Sequence, residues 1–314
     1  MKFAFVFPGQ GSQSVGMLRE LAAEHPEVER TFAEASSALG YDLWRTVCEG
    51  PEERLAQTEV TQPAMLAAGV AVWRVWCATG GPEPAVMAGH SLGEYSALVC
   101  AGALEFPEAV RLVADRARFM QEAVPAGHGA MAAILGLSDD AVAAVCAQAA
   151  QGEVLEPVNF NSPAQVVIAG SRAAVDRGIE QAKAAGAKRA VLLPMSVPAH
   201  SSLMAPAAAR LGERLQGVAL HMPRIPVLQN ATLATAADVE AMREALVRQV
   251  ASPVRWVQTV ERLVEAGARA LVECGPGKVL TGLNKRIARD VECLAIQDPG
   301  TLAEARARLG AGAA

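Results

Sequence analysis

Short, wholly apolar runs alternate with longer stretches of helical periodicity along this chain, and that alternation most strongly limits its possible folds. The first run, Phe3 to Phe7, ends at Pro8-Gly9 and has the character of a strand buried on both faces. The other runs of this kind lie at residues 85–88, 268–273 and 293–296. Strands that alternate with helices predict an α/β fold, in which helices cover both faces of a parallel sheet.

The segment 127–196 departs from this rhythm. Its pattern predicts strands at 131–135, 154–159, 165–169 and 188–193, helices at 139–150 and 172–185, and a turn at 161–163. The order strand, helix, strand, strand, helix, strand is that of a ferredoxin-like unit. We therefore predict a small ferredoxin-like subdomain at 127–196, inserted into a larger α/β body that comprises 1–126 and 197–314.

The composition excludes several classes of protein. Apolar residues make up 52% of the 314 positions and charged residues only 19%, so a disordered chain is excluded. The net charge is −5 and aromatic residues make up 4%, which offers nucleic acid neither a cationic surface nor stacking platforms. No stretch reaches the roughly 18 unbroken apolar residues of a membrane-spanning helix. We therefore expect neither nucleic acid nor a membrane as a partner.

The cysteines indicate a reducing compartment. The six occur singly, at Cys48, Cys77, Cys100, Cys146, Cys274 and Cys293. Because no CxxC pair and no cysteine–histidine pairing occurs, the sequence predicts neither a zinc site nor a redox dithiol. The apolar run at the N-terminus stops at Pro8, too early for a secretory signal peptide. We therefore expect a cytoplasmic protein with reduced cysteines.

The motif Gly89-His90-Ser91-Leu92-Gly93 is the strongest local signal for chemistry in the chain. It has the pattern G-x-S-x-G and lies between a predicted strand and a helical pattern, as a nucleophile elbow does. A nucleophilic serine there needs a strained turn in which flanking side chains would collide, and glycine on both sides avoids that collision. The first amides of the following helix would face a developing oxyanion. The motif therefore predicts Ser91 as a nucleophile.

A serine nucleophile needs a base, and five histidines are available. His200 is favoured, because it follows Val197-Pro198-Ala199 at the point where the chain re-enters the larger body; a structural role is the alternative. The Asp residues between the serine and this histidine all lie on helical patterns, at Asp115, Asp139, Asp140 and Asp176. Since none lies at a strand end, the sequence predicts a dyad whose histidine is oriented by a carbonyl or an amide, instead of an ordinary hydrolase triad.

The first turn, Gly9-Gln10-Gly11, follows the first predicted strand, at the sheet edge where active sites of parallel α/β folds lie. Its two glycines would leave the backbone N–H of Gln10 exposed. The segment matches neither G-x-G-x-x-G nor a Walker A pattern, so it does not predict a phosphate site. An ordinary glycine-rich turn is the alternative.

Arg116 lies in a mostly apolar helical stretch that includes Leu112 and Met120. Two roles are compatible with that pattern. The arginine either forms an ion pair at the helix surface or binds a carboxylate inside a cleft, for which a bidentate guanidinium is the best side chain.

Several segments together resemble the malonyl-CoA:acyl carrier protein transacylase family, in the same order and spacing. They are residues 7–11, 89–95, 116–125, 158–163 and 274–277, within a resemblance that runs from about residue 3 to residue 297. The resemblance implies a hydrolase-like parallel-sheet core with an inserted ferredoxin-like subdomain, which agrees with the pattern of strands and helices.

The resemblance also implies a role for each matching residue. The implied site residues are Ser91 as nucleophile, His200 as base, Gln249 as the residue whose backbone carbonyl orients that base, Gln10 and Leu92 as donors of an oxyanion hole through their backbone N–H groups, and Arg116 as the group that binds the malonyl carboxylate. That carboxylate distinguishes malonyl from acetyl. Bound acetyl would leave the arginine without an anionic partner, and this would disfavour acetyl.

The activity that the resemblance implies is a ping-pong transfer of malonyl from malonyl-CoA, through the serine, to the phosphopantetheine thiol of acyl carrier protein for fatty acid biosynthesis. It implies no metal or other cofactor, because coenzyme A and phosphopantetheine are parts of the substrates. The alternatives are an acyltransferase that loads a polyketide synthase carrier, an acyl thioesterase, and a carrier-binding module without activity. The missing acid and Arg116 disfavour a thioesterase, and the presence of both Ser91 and His200 disfavours an inactive module.

Overall fold

Residues 1–195 and 197–310 are described by a computed structural model that contains a five-stranded and a four-stranded sheet. The strands are β1 (Phe3–Phe7), β2 (Val86–Gly89), β3 (Gly129–Leu135), β4 (Leu155–Ser162), β5 (Gln165–Ser171), β6 (Arg189–Leu192), β7 (Val227–Leu228), β8 (Ala270–Cys274) and β9 (Glu292–Ile296). The α-helices are α1 (Arg19–Glu24), α2 (Glu27–Leu39), α3 (Leu43–Glu49), α4 (Glu52–Leu55), α5 (Thr58–Ala78), α6 (Gly93–Cys100), α7 (Phe106–Ala123), α8 (Asp139–Ala150), α9 (Arg172–Ala184), α10 (Ala205–Gln216), α11 (Val239–Gln249), α12 (Trp256–Glu265), α13 (Val279–Ile287) and α14 (Pro299–Gly310). A short 3-10 helix covers Ser202–Met204.

The larger sheet is parallel, with the strand order β7-β2-β1-β8-β9. β1 lies at its centre and is buried at every position, which explains the uninterrupted apolar run in the sequence. Phe7 at the end of β1 pairs with Gly89 at the end of β2. The turns that follow these two strands therefore leave the sheet side by side at its carboxyl edge. The predicted parallel α/β core is confirmed.

Helices cover both faces of this sheet. On one face, α5 packs against α2, α6 and α7, so it is buried nearly all round and its sequence is apolar on most sides. Phe5 and Trp76 pack edge to face in this layer, with ring centroids 5.4 Å apart. On the other face, Trp256 from α12 shares a core cluster with Leu280 from α13. No helix within the described ranges is both long and apolar enough to cross a membrane.

The smaller sheet is antiparallel, with the strand order β4-β5-β3-β6. Helices α8 and α9 pack against each other and against this sheet, where Ile168 and Val175 belong to a separate core cluster. Alternate strand residues such as Met131 and Val167 belong to the core cluster of the larger body instead. The predicted ferredoxin-like arrangement is confirmed. All four strands lie inside 127–196, whose limits as a subdomain stay a prediction.

The hairpin between β4 and β5 differs from the expected one. β4 continues to Ser162, which pairs with Gln165, so the turn is Pro163-Ala164 and not 161–163. Ala164 has a φ of 58°, because so short a turn between antiparallel strands needs a left-handed residue. Helices α1 to α4, helices α10 to α12 and the two-residue strand β7 are not among the predicted elements.

Candidate active site

Ser91 lies on the turn between β2 and α6, in the left-handed conformation with a φ of 51°. A Cβ atom added at Gly89 would lie 1.9 Å from the carbonyl carbon of Gly93. One added at Gly93 would lie 2.0 Å from the carbonyl oxygen of Phe7. Both contacts are with backbone, which cannot move aside, so only glycine fits at either position. The predicted elbow geometry is confirmed, for the steric reason expected from the sequence.

Two distant side chains hold the strained backbone of Ser91. Asn230 Oδ1 accepts a hydrogen bond from the Ser91 N–H at 2.8 Å, and Asn230 Nδ2 donates to the Gly89 carbonyl at 2.7 Å. Gln249 Nε2 donates to the Ser91 carbonyl at 3.0 Å. Asn230 is not among the predicted site residues. A signal for it is its position shortly after β7, at the same carboxyl edge of the sheet as the elbow.

His200 lies within hydrogen-bond distance of both Ser91 and Gln249. Its Nε2 is 2.7 Å from Ser91 Oγ, and its Nδ1 is 2.9 Å from the carbonyl oxygen of Gln249. A carbonyl oxygen can only accept, so Nδ1 carries the hydrogen and the Nε2 lone pair faces the serine hydroxyl. A backbone carbonyl thus occupies the position that a carboxylate has in a hydrolase triad.

The surroundings of His200 keep its imidazole neutral. Only 3% of the residue is exposed. Burial, followed by the positive charge of Arg116, lowers the pKa of His200 to about 3, although the hydrogen bond to the Gln249 carbonyl opposes the shift. The ring is therefore uncharged at neutral pH and can accept the proton of a serine hydroxyl.

The backbone N–H groups of Gln10 and Leu92 belong to the two adjacent turns at the sheet edge. Both residues line a cavity of about 50 Å³ together with Ser91 and His200. Neither N–H donates a hydrogen bond to any residue in 1–195 or 197–310. The first turn approaches the elbow closely because Gly9 has no side chain; a Cβ there would lie 2.5 Å from the elbow backbone. Two unused donors beside a serine hydroxyl are what an oxyanion hole requires.

Arg116 projects from α7 into the same cavity and is buried. Its Nη1 donates to Gln62 Oε1 at 2.7 Å, and its Nη2 donates to Gln249 Oε1 at 3.0 Å and to Ser91 Oγ at 3.2 Å. All three acceptors are neutral, and Nε has no partner in the described part of the chain. A surface ion pair, one of the two roles considered for Arg116, is therefore wrong.

The helix pattern explains why Arg116 is buried. Its spacing from Leu112, Val113 and Met120 places it on the face of α7 that packs against α5. Gln62 on α5 supplies the facing acceptor and is not among the predicted site residues; its signal is a glutamine inside a mostly apolar helix. Burial lowers the pKa of Arg116, but a guanidinium stays charged at neutral pH.

A larger cavity of about 370 Å³ lies between the first turn, the smaller sheet and α13. It shares the lining residues Gln10, His90 and Met131 with the small cavity at Ser91. His90 Nε2 is 2.8 Å from Asn161 Oδ1 on β4, so a hydrogen bond joins the elbow to the smaller sheet. The larger cavity therefore offers an extended ligand a route to the serine hydroxyl.

The sequence and the fold match known proteins over nearly the whole chain. The model of the acyl transferase domain family matches residues 4–297. Malonyl CoA-acyl carrier protein transacylase from Salmonella typhimurium is 57% identical over 304 residues, which cover 97% of this chain and 98% of that protein. The solved structure of the Coxiella burnetii transacylase has a TM-score of 0.97 and 51% identity, over 98% of each chain. A malonyl-transacylase solved in complex with a type II PKS acyl-carrier protein also has a TM-score of 0.97, with 54% identity over 98% of this chain and 100% of that one.

These matches include every segment from which the site is built. The elbow, the first turn, His200 and Gln249 all lie within residues 4–297. On these similarities, the chain belongs to the malonyl CoA-acyl carrier protein transacylases of the acyl transferase family.

Proposed function

We propose that this protein transfers a malonyl group from malonyl-CoA to the phosphopantetheine thiol of an acyl carrier protein, through a malonyl ester of Ser91. The observation that carries the proposal is the buried guanidinium of Arg116, which lies 3.2 Å from Ser91 Oγ and has only neutral partners among the described residues. A buried charge whose direct partners are all neutral is costly, so the site favours a ligand that brings an anion into contact with it. Malonyl brings a carboxylate that a single methylene separates from the thioester carbonyl, so both groups can reach these adjacent side chains.

In the first half-reaction, Ser91 Oγ attacks the thioester carbonyl of malonyl-CoA while its proton moves to His200 Nε2. The hydrogen bond from Nδ1–H to the Gln249 carbonyl keeps the ring oriented and stabilises the imidazolium. The N–H groups of Gln10 and Leu92 donate to the oxyanion of the tetrahedral intermediate. The carbon–sulfur bond then breaks, and the departing coenzyme A thiolate takes the proton from His200.

In the second half-reaction, the phosphopantetheine thiol gives its proton to His200 and its sulfur attacks the ester carbonyl. Collapse of the intermediate breaks the bond to Ser91 Oγ, which regains the proton from His200. Arg116 holds the malonyl carboxylate through both steps, so the acyl group keeps its orientation while the two thiols exchange. Because coenzyme A and phosphopantetheine enter as parts of the substrates, this mechanism uses no other cofactor.

Fatty acid biosynthesis in the cytoplasm is the pathway that we propose for this activity, with its acyl carrier protein as the acceptor. A polyketide synthase carrier is the second candidate, because one solved relative is in complex with a type II PKS acyl-carrier protein. Transfer rates to the two purified carriers, measured side by side, distinguish these acceptors. We expect the higher kcat/KM with the carrier of fatty acid synthesis; the reverse order would favour the second candidate.

Incubation with malonyl-CoA, followed by intact mass spectrometry and peptide mapping, tests the covalent intermediate. We expect a malonyl adduct on Ser91, and we expect Ser91→Ala to fold normally and to form none. Ser96→Ala is the matched control, because Ser96 lies nearby on α6, is buried, and its hydroxyl has no hydrogen-bond partner among the described residues. An adduct on Ser91→Ala, or none on the unaltered protein, would contradict the proposal.

A further inference from the structure

A second buried ionisable group, Glu94, lies directly behind the elbow and has no part in the proposed steps. Its carboxylate accepts hydrogen bonds from Gln249 Nε2 at 2.8 Å, from the backbone N–H of Asn230 at 3.0 Å and from Gln229 Nε2 at 3.3 Å. Burial raises the pKa of Glu94 above its ordinary value, although these donors and the charge of Arg116 oppose the shift. Because each of these neighbours donates, the geometry is that of an ionised carboxylate.

The side chain of Gln249 lies between this carboxylate and Arg116. Its Nε2 donates to Glu94 Oε2 at 2.8 Å, and its Oε1 accepts from Arg116 Nη2 at 3.0 Å. The reverse orientation would place the amide NH2 against the guanidinium and the amide oxygen against the carboxylate. Glu94 therefore fixes which end of the amide faces Arg116, and the amide keeps the two charges apart.

Gln62 contacts the other terminal nitrogen of the guanidinium. Its Oε1 accepts from Arg116 Nη1 at 2.7 Å, while its Nε2 lies 3.7 Å from the sulfur of Met120. Two amide oxygens thus hold Arg116 in position without neutralising its charge. A carboxylate at either position would form a direct ion pair, and a substrate carboxylate would have to compete with it.

We propose that Gln62 and Gln249 determine donor specificity: their neutral amides fix Arg116 and leave the malonyl carboxylate as its only direct anionic partner. The inference rests on the proposed function, because it concerns the same acyl site. Selection for malonyl then requires the arginine and also requires that the protein's own acids stay out of contact with it.

Replacing an amide by a carboxylate tests the inference, because glutamine and glutamate have nearly the same shape. In Gln62→Glu, we expect kcat/KM for malonyl-CoA to fall by about 30-fold or more, the usual effect of losing a desolvated charge pair. We expect kcat/KM for acetyl-CoA to change little. The malonyl-to-acetyl ratio is the readout, because a displaced elbow or partial unfolding would lower both values together.

Gln249 needs a double variant, because a glutamate at that position would lie 2.8 Å from Glu94 and the two acids would share a proton. Glu94→Gln/Gln249→Glu instead moves the charge into contact with Arg116 and leaves composition and net charge unchanged. We expect this double variant to lose the preference for malonyl and Glu94→Gln alone to retain it. Gln181→Glu is the matched control, because it adds a negative charge on α9, outside both cavities, and should leave the ratio unchanged.

Unchanged malonyl-to-acetyl ratios in the carboxylate variants would overturn the inference, provided that the unaltered protein forms the malonyl ester. If the unaltered protein forms no malonyl ester, the proposed function fails first, so the two failures are distinguishable. Circular dichroism and the rate of acetyl transfer establish that each variant is folded. If one of the two carboxylate variants does not fold, the ratio in the other decides.

Discussion

Replacing Arg116 with alanine is the most direct perturbation of donor selectivity. The side chain is buried, with 1% of the residue exposed, and its hydrogen bonds go to the neutral acceptors of Gln62, Ser91 and Gln249. Its removal leaves the malonyl carboxylate without a cationic partner in a cleft shielded from water. Acetyl-CoA has no carboxylate, so it loses no ion pair in the variant. Because the guanidinium is absent there, bound acetyl also no longer leaves it unpaired. We therefore expect kcat/KM to fall for malonyl-CoA and to stay level or rise for acetyl-CoA.

The burial of Arg116 decides the magnitude of this effect. An exposed ion pair contributes about 0–1 kcal/mol, which corresponds to about fivefold at most in kcat/KM. Truncating one partner of a desolvated pair costs about 2–5 kcal/mol. At about 1.4 kcal/mol for each factor of ten, that range corresponds to a loss of about 30-fold to several thousand-fold. Because Arg116 is almost completely buried, we expect the second range for malonyl-CoA.

The assay compares kcat/KM for malonyl-CoA and acetyl-CoA with the same carrier protein, in the unaltered protein and in Arg116→Ala. Arg118→Ala is the matched control, because Arg118 lies on the same helix but its side chain is 49% exposed and pairs with Asp115. We expect this control to keep both values, and circular dichroism checks that both variants fold. Equal proportional losses for the two donors in Arg116→Ala would refute the reasoning, because they would mean that Arg116 supports the structure or contacts the shared coenzyme A portion.

Two further variants test the base and the elbow. Because the pKa of His200 is about 3 in the folded protein against an ordinary 6.5, its contribution to stability is complete above pH 6.5 and is lost as the pH falls towards 3. For this reason, the free energy of unfolding should fall by about 2 kcal/mol between pH 7 and pH 5. Urea unfolding of His200→Ala should show a smaller fall over the same range. Parallel pH profiles for the two proteins would contradict a neutral, buried His200. Gly93→Ala should lose about 3 kcal/mol or more and form no acyl ester, because its Cβ would lie 2.0 Å from the Phe7 carbonyl oxygen. Gly282→Ala is the control and should be tolerated, because a Cβ at this position of α13 meets open space. Normal ester formation by Gly93→Ala would contradict the prediction, because it would show that the elbow has room for a side chain.

The parts of the fold and of the site that can be predicted from the sequence are those with local causes. β1, β2 and the two glycines around Ser91 follow from patterns within a few residues, because burial and steric exclusion act at each position separately. The choice of His200 depends on Ser91, since a single histidine has no distinguishing pattern until a nucleophile has been identified that needs it.

Contacts between distant segments leave no such pattern. Asn230, which follows β7, and Gln62 on α5 reach the site through tertiary packing, and their local signals do not by themselves assign them to it. A backbone carbonyl has no sequence signal, so only the family resemblance predicts the contact between Gln249 and His200. The burial of Arg116 depends on which helix covers that face of α7, which is why the pattern alone was also compatible with a surface pair.

The hydrogen bonds that Asn230 and Gln249 form with the backbone of Ser91 join positions 139 and 158 residues apart. During synthesis on the ribosome, the serine and the helix after it therefore exist long before the side chains that hold the turn. A nascent chain that ends before Asn230 already contains both Ser91 and His200, but it lacks both side chains that hydrogen-bond to the serine backbone. The complete set of hydrogen bonds around the serine can therefore form only after residue 249 has been added to the chain.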